Sequence, residues 1–149
     1  MSPKKILEKA KELGCESVAL TDTNFGYGLV DFFETAKNFS IKSILGAEIA
    51  VAKDSRFENR AGVDGREGRL VLLAKNQTGF ENLLKILSTA SLEGFFHQPR
   101  TDWDFLQKHA DGLIVLTGAT SGLLGQIFYQ QGEEHAIKMV EKVGATFSP

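Results

Sequence analysis

Cysteine is almost absent from this 149-residue sequence, in which Cys15 is the only one. A lone cysteine excludes an internal disulfide and any zinc site that is built from cysteine pairs. Cysteine is among the most buried residue types, and Cys15 stands beside Gly14 at the start of an apolar run, so we expect a buried thiol. With 42% hydrophobic residues, the chain is able to bury the core of one globular domain.

Long apolar runs are also missing. No segment approaches the roughly 20 apolar residues that a membrane-spanning helix requires. The first residues, MSPKKILEKAKEL, are charged and predict a helix, and they lack the apolar centre of a signal peptide. The sequence therefore predicts a cytoplasmic protein without a membrane partner.

Strong charge of one sign is the third absence, since the formal net charge is −2. A phosphate backbone is held mainly by clustered lysine and arginine, and the chain offers no such overall excess. Direct DNA binding is thus disfavoured, and DNA is expected to be reached only through a larger assembly.

Short apolar runs alternate with helical stripes along the chain. Strands are predicted at 17–21, 43–52, 69–74 and 113–117, and helices at 3–13, 29–39, 78–88, 102–109, 121–130 and 133–142. The charged, glycine-containing segment 53–68 predicts a surface loop or hairpin excursion. The alternation predicts an α/β fold of βαβ units, with a parallel sheet or barrel wall.

In parallel α/β folds the chemistry collects at the carboxyl ends of the strands. The candidate site residues are therefore those at or just after these ends, together with a histidine in the aromatic loop 91–101: Asp22, Thr23, Asn24, Glu48, Ala119 and His97. Carboxylate and imidazole groups are metal-ligand types, so Glu48 and His97 are the candidates for binding an ion.

Four segments carry a family resemblance in the same order along the chain. ALTDTNFGYGLVDFF (19–33) resembles the strand-end motif of PHP domains. IKSILGAEI (41–49), RLVLLAKNQTGFENLLKILSTASLEGF (69–95) and DGLIVLTGATSG (111–122) resemble further segments of the PHP domain of bacterial DNA polymerase III alpha subunits. The resemblance covers about residues 5–130, and the ordered set is specific where each motif alone is weak.

The resemblance implies a distorted seven-stranded β/α barrel with mainly parallel strands, whose strand ends can carry several divalent metals. Residues 1–149 are then expected to form a single partial PHP domain. Its first strand, with paired histidines, would lie upstream of Ser2, and its C-terminal units, with an Asp-x-His pair, would lie beyond Pro149.

Carried over position by position, the resemblance implies a degenerate metal site. Thr23 stands where the family has histidine, and Ala119 stands where it has cysteine. Asp22 would either orient a ligand or close the loop, and Asn24 follows in the same motif. Because two ligand groups, Glu48 and His97, are too few for a multi-metal centre, no cofactor is expected.

The function implied is that of a structural and subunit-docking module in DNA replication. Its partners would be the remaining domains of a polymerase alpha subunit and the proofreading exonuclease subunit, and nucleotidyl transfer would belong to the parent protein. One alternative is a metal-dependent phosphoesterase or 3′–5′ exonuclease that uses zinc or manganese. Another, based on the residues alone, is a small-molecule-binding α/β domain.

Overall fold

The computed structural model describes residues 2–59 and 68–147. The helices are α1 (Pro3–Glu12), α2 (Leu29–Phe39), α3 (Gln77–Leu92), α4 (Trp103–Lys108), α5 (Leu123–Gln131) and α6 (Glu133–Phe147). The strands are β1 (Ser17–Thr23), β2 (Lys42–Val51), β3 (Gly68–Ala74), β4 (Arg100–Thr101) and β5 (Leu113–Leu116). None of these helices is long and apolar enough to cross a bilayer.

The predicted elements are confirmed in kind, with differences in their ends, and the structure adds one short strand, β4, inside the segment 91–101 that is expected to be a loop. Helix α3 continues to Leu92, and α6 continues to Phe147. Asp102 begins α4 as expected, because its side chain accepts a hydrogen bond from the Phe105 backbone N–H at 3.0 Å. The prediction for Cys15 is wrong: it is exposed in the turn that follows α1, so the thiol faces solvent and not the core.

The sheet has the order β1-β2-β3-β5, with β4 paired to β2. Strands β1 and β4 run parallel to β2, whereas β3 is antiparallel to both β2 and β5. Four strands therefore share one direction, and β3 opposes them. The α/β class is confirmed, but the expected parallel sheet is corrected to a mixed one, and no closed barrel is formed by the described strands.

Strand β3 pairs antiparallel with β2 from Gly46 opposite Leu73 to Val51 opposite Gly68. Residues 52–59, the described part of the connection between the two strands, contain no helix.

One face of the sheet carries the core. Residues of β2 and β3 such as Ile49, Leu70 and Leu72 are fully buried against Leu83 and Ile86 of α3. Helices α1 and α2 pack together beside this layer through a second cluster: Leu7, Ala10, Phe32, Ala36 and Ile41. The buried side chains of all the described helices join these two clusters, so the helices cover the same face.

The opposite face is open. Strand side chains alternate between faces, and the register places these residues together on it: Ala19, Thr21, Thr23, Ile44, Gly46, Glu48, Ala50, Arg69, Val71, Leu73, Ile114 and Leu116. None of them belongs to a core cluster of the described residues. Ile114 and Leu116 are 46% and 50% exposed, so the described elements leave part of this largely apolar face uncovered, and the face has a polar end.

Candidate functional site

The polar end of the open face forms where β1, β2 and β3 meet. Thr23, the last residue of β1, lies opposite Glu48 in β2. Arg69, at the amino end of the reversed strand β3, lies opposite Ala50 in β2. Three strands thus bring a hydroxyl, a carboxylate and a guanidinium to one edge of the sheet.

These groups form a continuous hydrogen-bond network with two amides. Thr23 Oγ1 donates to Glu48 Oε2 at 2.9 Å, and Arg69 Nη1 donates to the same oxygen at 3.1 Å. Arg69 Nη2 donates to Gln98 Oε1 at 2.9 Å, and Asn24 Nδ2 donates to that oxygen at 3.1 Å. We call Thr23, Asn24, Glu48, Arg69 and Gln98 the strand-end cluster.

Asn24 fixes the backbone at the centre of this cluster. Its φ of 60° lies in the left-handed region, which asparagine tolerates better than most residues. Its backbone N–H donates to the Glu48 carbonyl at 2.6 Å, and its Oδ1 accepts from the Ala50 N–H at 3.0 Å. Because the residue is only 4% exposed, these bonds hold the end of β1 firmly against β2.

Arg100, two residues after Gln98, is completely buried and holds this part of the chain in place. Arg100 Nε donates to the Gly94 carbonyl at 3.2 Å, and its Nη2 donates to the Glu58 carbonyl at 2.9 Å. A Cβ at Gly94 would lie 1.9 Å from the Arg100 carbonyl oxygen, so this close approach requires glycine. These hydrogen bonds of the buried Arg100 hold the loop that carries Gln98.

Arg56 adds a second anchor to the same loop. It makes an ion pair with Asp102 at 2.9 Å and another with Glu93 at 2.8 Å. Burial lowers the pKa of Arg56, but the hydrogen bonds and charges of Glu93 and Asp102 outweigh that effect and raise it above its ordinary value. The guanidinium is therefore a permanent cation that ties residues 53–59 to the start of α4.

Asp22 serves the loop between β1 and α2. Its Oδ2 accepts a hydrogen bond from the Gly28 N–H at 3.2 Å. A Cβ at Gly28 would lie 2.8 Å from that oxygen and 3.0 Å from Leu20 Cδ2. A side chain at position 28 would force Asp22 to move, and the carboxylate is directed to the backbone just before α2.

His97 and Ala119 make no bond to the cluster. The His97 ring lies 4.3 Å from the Phe96 ring, and its backbone φ is 60°. Ala119 is exposed in the turn after β5, where its carbonyl accepts from the Gly122 N–H at 3.0 Å. Of the candidates named from the sequence, the structure brings together Thr23, Asn24 and Glu48.

Arg69 and Gln98 were missed by the sequence analysis. Residues that follow strands are the expected candidates, whereas Arg69 lies at the start of a strand that runs in the opposite direction. A charged residue at the head of the apolar run RLVLLA was the available signal for Arg69. No comparable signal distinguishes Gln98 except its position beside His97.

The donor set of the cluster does not suit a divalent metal ion. Glu48 supplies its single carboxylate, which already accepts from Thr23 and from the guanidinium of Arg69. The described residues gather no group of three or more histidine, cysteine, aspartate or glutamate side chains. What the arrangement does supply is a cross-link between β1, β2, β3 and the aromatic loop.

The PHP domain family model matches residues 1–149, and the chain belongs to that family. The predicted family membership is thereby confirmed.

Two curated relatives share one name. The DNA polymerase III subunit alpha of Treponema pallidum (strain Nichols) is 39% identical over 142 residues, which are 92% of this chain and 12% of that protein. The subunit of the same name from Thermus aquaticus is 40% identical over 129 residues, or 84% of this chain and 11% of that protein. The chain therefore spans about an eighth of the length of these relatives.

Solved structures are more distant. An amidohydrolase from Chromobacterium violaceum, solved with bound sulfate and without metal, is 15% identical with a TM-score of 0.40. The match covers 95% of this chain and 49% of that one. A similarity of this size carries no argument about fold or activity.

Proposed function

We propose that this chain is the amino-terminal PHP region of a replicative DNA polymerase III alpha subunit and that it acts as a structural and docking module. The relatives at 39–40% identity support the parentage. The observation that carries the non-catalytic role is the ion pair between Arg69 and Glu48 at 3.1 Å. The pair places a positively charged guanidinium beside the carboxylate that a metal centre would have to use.

The guanidinium stands in for a metal cation in this interpretation. The guanidinium of Arg69 is positively charged and lies 3.1 Å from Glu48 Oε2. A divalent ion at that carboxylate would have to displace the guanidinium and overcome its repulsion. It would gain only a threonine hydroxyl from position 23 and nothing from Ala119, so the metal site is degenerate.

The cluster joins separate strands, as the ligands of a metal centre would. A metal ion joins ligands from separate strands, and here hydrogen bonds of 2.9–3.1 Å join Thr23, Glu48, Arg69 and Gln98. A module held in this way can present its outer surface to other polypeptides without depending on an ion. The partners we propose are the remaining domains of the alpha subunit and the proofreading exonuclease subunit, in the cytoplasm, with DNA reached only through the assembly.

Metal analysis tests this proposal. The chain is purified, equilibrated separately with zinc and manganese, freed of unbound ion, and analysed for bound metal. A Glu48→Gln variant is the matched control, because it keeps the side-chain volume and removes the charge. We expect substoichiometric metal in both proteins and no hydrolysis of phosphomonoesters or single-stranded DNA.

Stoichiometric zinc or manganese that is lost in Glu48→Gln would overturn the proposal. That result would favour the alternative, a metal-dependent phosphoesterase or 3′–5′ exonuclease with Glu48 and His97 among its ligands. A His97→Gln variant, measured in the same way, would then show whether the imidazole binds the ion.

A further inference from the structure

A cavity of about 560 Å³ lies between α2 and α3. It reaches the end of the sheet where the pairing of β2 with β3 stops, at Gly46 opposite Leu73. Beyond that point, residues 42–45 of β2 have no partner in β3. We call this space the interhelical crevice, and it lies away from the strand-end cluster, toward the other end of β2.

The walls of the crevice are apolar and open to solvent. Val30 and Phe33 of α2 are 72% and 43% exposed, and Ile114 of β5 is 46% exposed. Leu29 and Phe80 close the space on the side of the core. The volume lies within the range of roughly 300–1,000 Å³ that is typical of pockets that enclose a ligand. An apolar recess of this size on a soluble surface marks an interaction site.

The charged side chains that line the crevice are all positive. Lys42 and Lys75 line it, and no aspartate or glutamate is among its lining residues. In the part of the chain that the structure describes, neither lysine forms an ion pair. A third cation, Lys37, lies 4.4 Å above the Phe33 ring, although it also pairs with Glu34.

The rim also has a rigid side. Asn76 caps α3, because its side-chain Oδ1 accepts a hydrogen bond from the Gly79 N–H at 2.9 Å. This bond fixes the orientation of the Asn76 side chain. A Cβ at Gly79 would lie 1.8 Å from the Gly112 carbonyl oxygen, which shows how closely the start of α3 is packed. The crevice is therefore bounded on one side by the closely packed start of α3, next to Lys75.

We propose that the interhelical crevice docks a polypeptide segment of a partner in which large apolar side chains are flanked by aspartate or glutamate. The apolar side chains would enter between Val30, Phe33 and Phe80, and the carboxylates would lie beside Lys42 and Lys75. Complementary charge of this kind selects the partner and its orientation more than it adds raw affinity. The inference rests on the docking role proposed above and names the chemistry of the segment bound.

Fluorescence anisotropy with three labelled peptides tests the proposal on the 149-residue chain. The first is Glu-Glu-Leu-Leu-Glu-Phe-Leu-Glu-Glu. The second has lysine in place of each glutamate, and the third has serine in place of each leucine and phenylalanine. We expect the first peptide to bind at least about tenfold more tightly than either of the others.

Three variants assign the binding to the crevice. Val30→Glu places a carboxylate on the exposed wall and is expected to weaken the first peptide at least about tenfold. Val140→Glu makes the same change on α6, where the valine is 51% exposed, and is expected to have no effect. The double variant Lys42→Glu with Lys75→Glu is expected to reverse the preference, so that the lysine peptide binds more tightly. Thermal unfolding of each variant verifies that the fold is kept.

Several results would overturn the proposal. Equal affinity for the acidic and basic peptides would remove the role of charge, and equal loss in Val30→Glu and Val140→Glu would remove the crevice. Absence of binding by the first peptide would also contradict it. Self-association abolished by Val30→Glu would make a second copy of the chain the occupant. None of these outcomes depends on metal content, so a failure here is distinct from a failure of the degenerate-site proposal.

Discussion

Arg69→Met is the substitution that tests most directly whether the strand-end cluster holds the sheet together. Methionine keeps much of the length of the side chain and removes the guanidinium. Among the described residues, Glu48 would then accept from Thr23, and Gln98 Oε1 would lose the bond from Arg69 and keep the one from Asn24. The change therefore removes two contacts and leaves a half-buried carboxylate without its counter-ion.

The expected loss of stability is modest because the site is open to water. The side chains of Arg69 and Glu48 are 32% and 34% exposed, so their ion pair contributes at most about 1 kcal/mol. The hydrogen bond to Gln98 adds about 1 kcal/mol. We expect Arg69→Met to lower the free energy of unfolding by about 1–2 kcal/mol, which lowers the melting temperature by about 2–8 °C.

Urea and thermal unfolding of four proteins measure this effect: the unmodified chain, Arg69→Met, Glu48→Gln and the double variant. The coupling energy between the two positions should be about 1 kcal/mol. Lys9→Met is a matched control, because it removes a cation from an ion pair with Glu12 in which both side chains are 64% exposed. It should leave the stability unchanged within about 0.5 kcal/mol.

The reasoning would be refuted if Arg69→Met were as stable as the unmodified chain, or if its effect simply added to that of Glu48→Gln. Either result would mean that the guanidinium does not tie β3 to β2. A stability that rose on addition of zinc only in Arg69→Met would instead support the view that the guanidinium occupies the place of a cation.

Three further predictions concern other parts of the chain. The uncovered sheet face predicts poor solubility or association of the isolated chain, measured by light scattering; Ile114→Lys should reduce it, and a clean monomer before mutation would contradict the argument. Gly28→Ala should cost about 1 kcal/mol in urea unfolding, because the new Cβ would meet Asp22 Oδ2 at 2.8 Å, and Asp22→Ala should relieve part of that cost. Cys15 should react with a thiol reagent in the folded protein as fast as in urea, since it is exposed; strong protection would place it in an interface.

The proposed role does not require the chain to carry chemistry of its own. Residues 52–59 and 94–102 are fastened by Arg56 and Arg100 through ion pairs and carbonyl contacts, which adds rigidity beside the cluster. A rigid module with an apolar crevice and an open sheet face is suited to contact with other polypeptides. In a larger polymerase, the module would then act through the surfaces that contact other polypeptides.

The order of helices and strands, apart from the two-residue strand β4, could be predicted from the sequence, because local patterns determine it. Helical stripes and apolar runs depend on spacing along the chain, and a cap such as Asp102 acts on a backbone N–H three residues away. The positions of strand ends also led to Thr23, Asn24 and Glu48, which lie together at one edge of the sheet. These features need no knowledge of which strand lies beside which.

Only the tertiary structure decided the rest of the site and the exposure of individual residues. The direction of β3 depends on how the chain returns after residue 52, and that direction places Arg69 at the same edge as Glu48. Gln98 joins the cluster across a distance of 29 residues from Arg69, and Cys15 turns toward solvent at the end of a helix. Apolar periodicity reports whether a residue faces a core, but the partner of a polar group is set by strand order and direction, which local sequence does not encode.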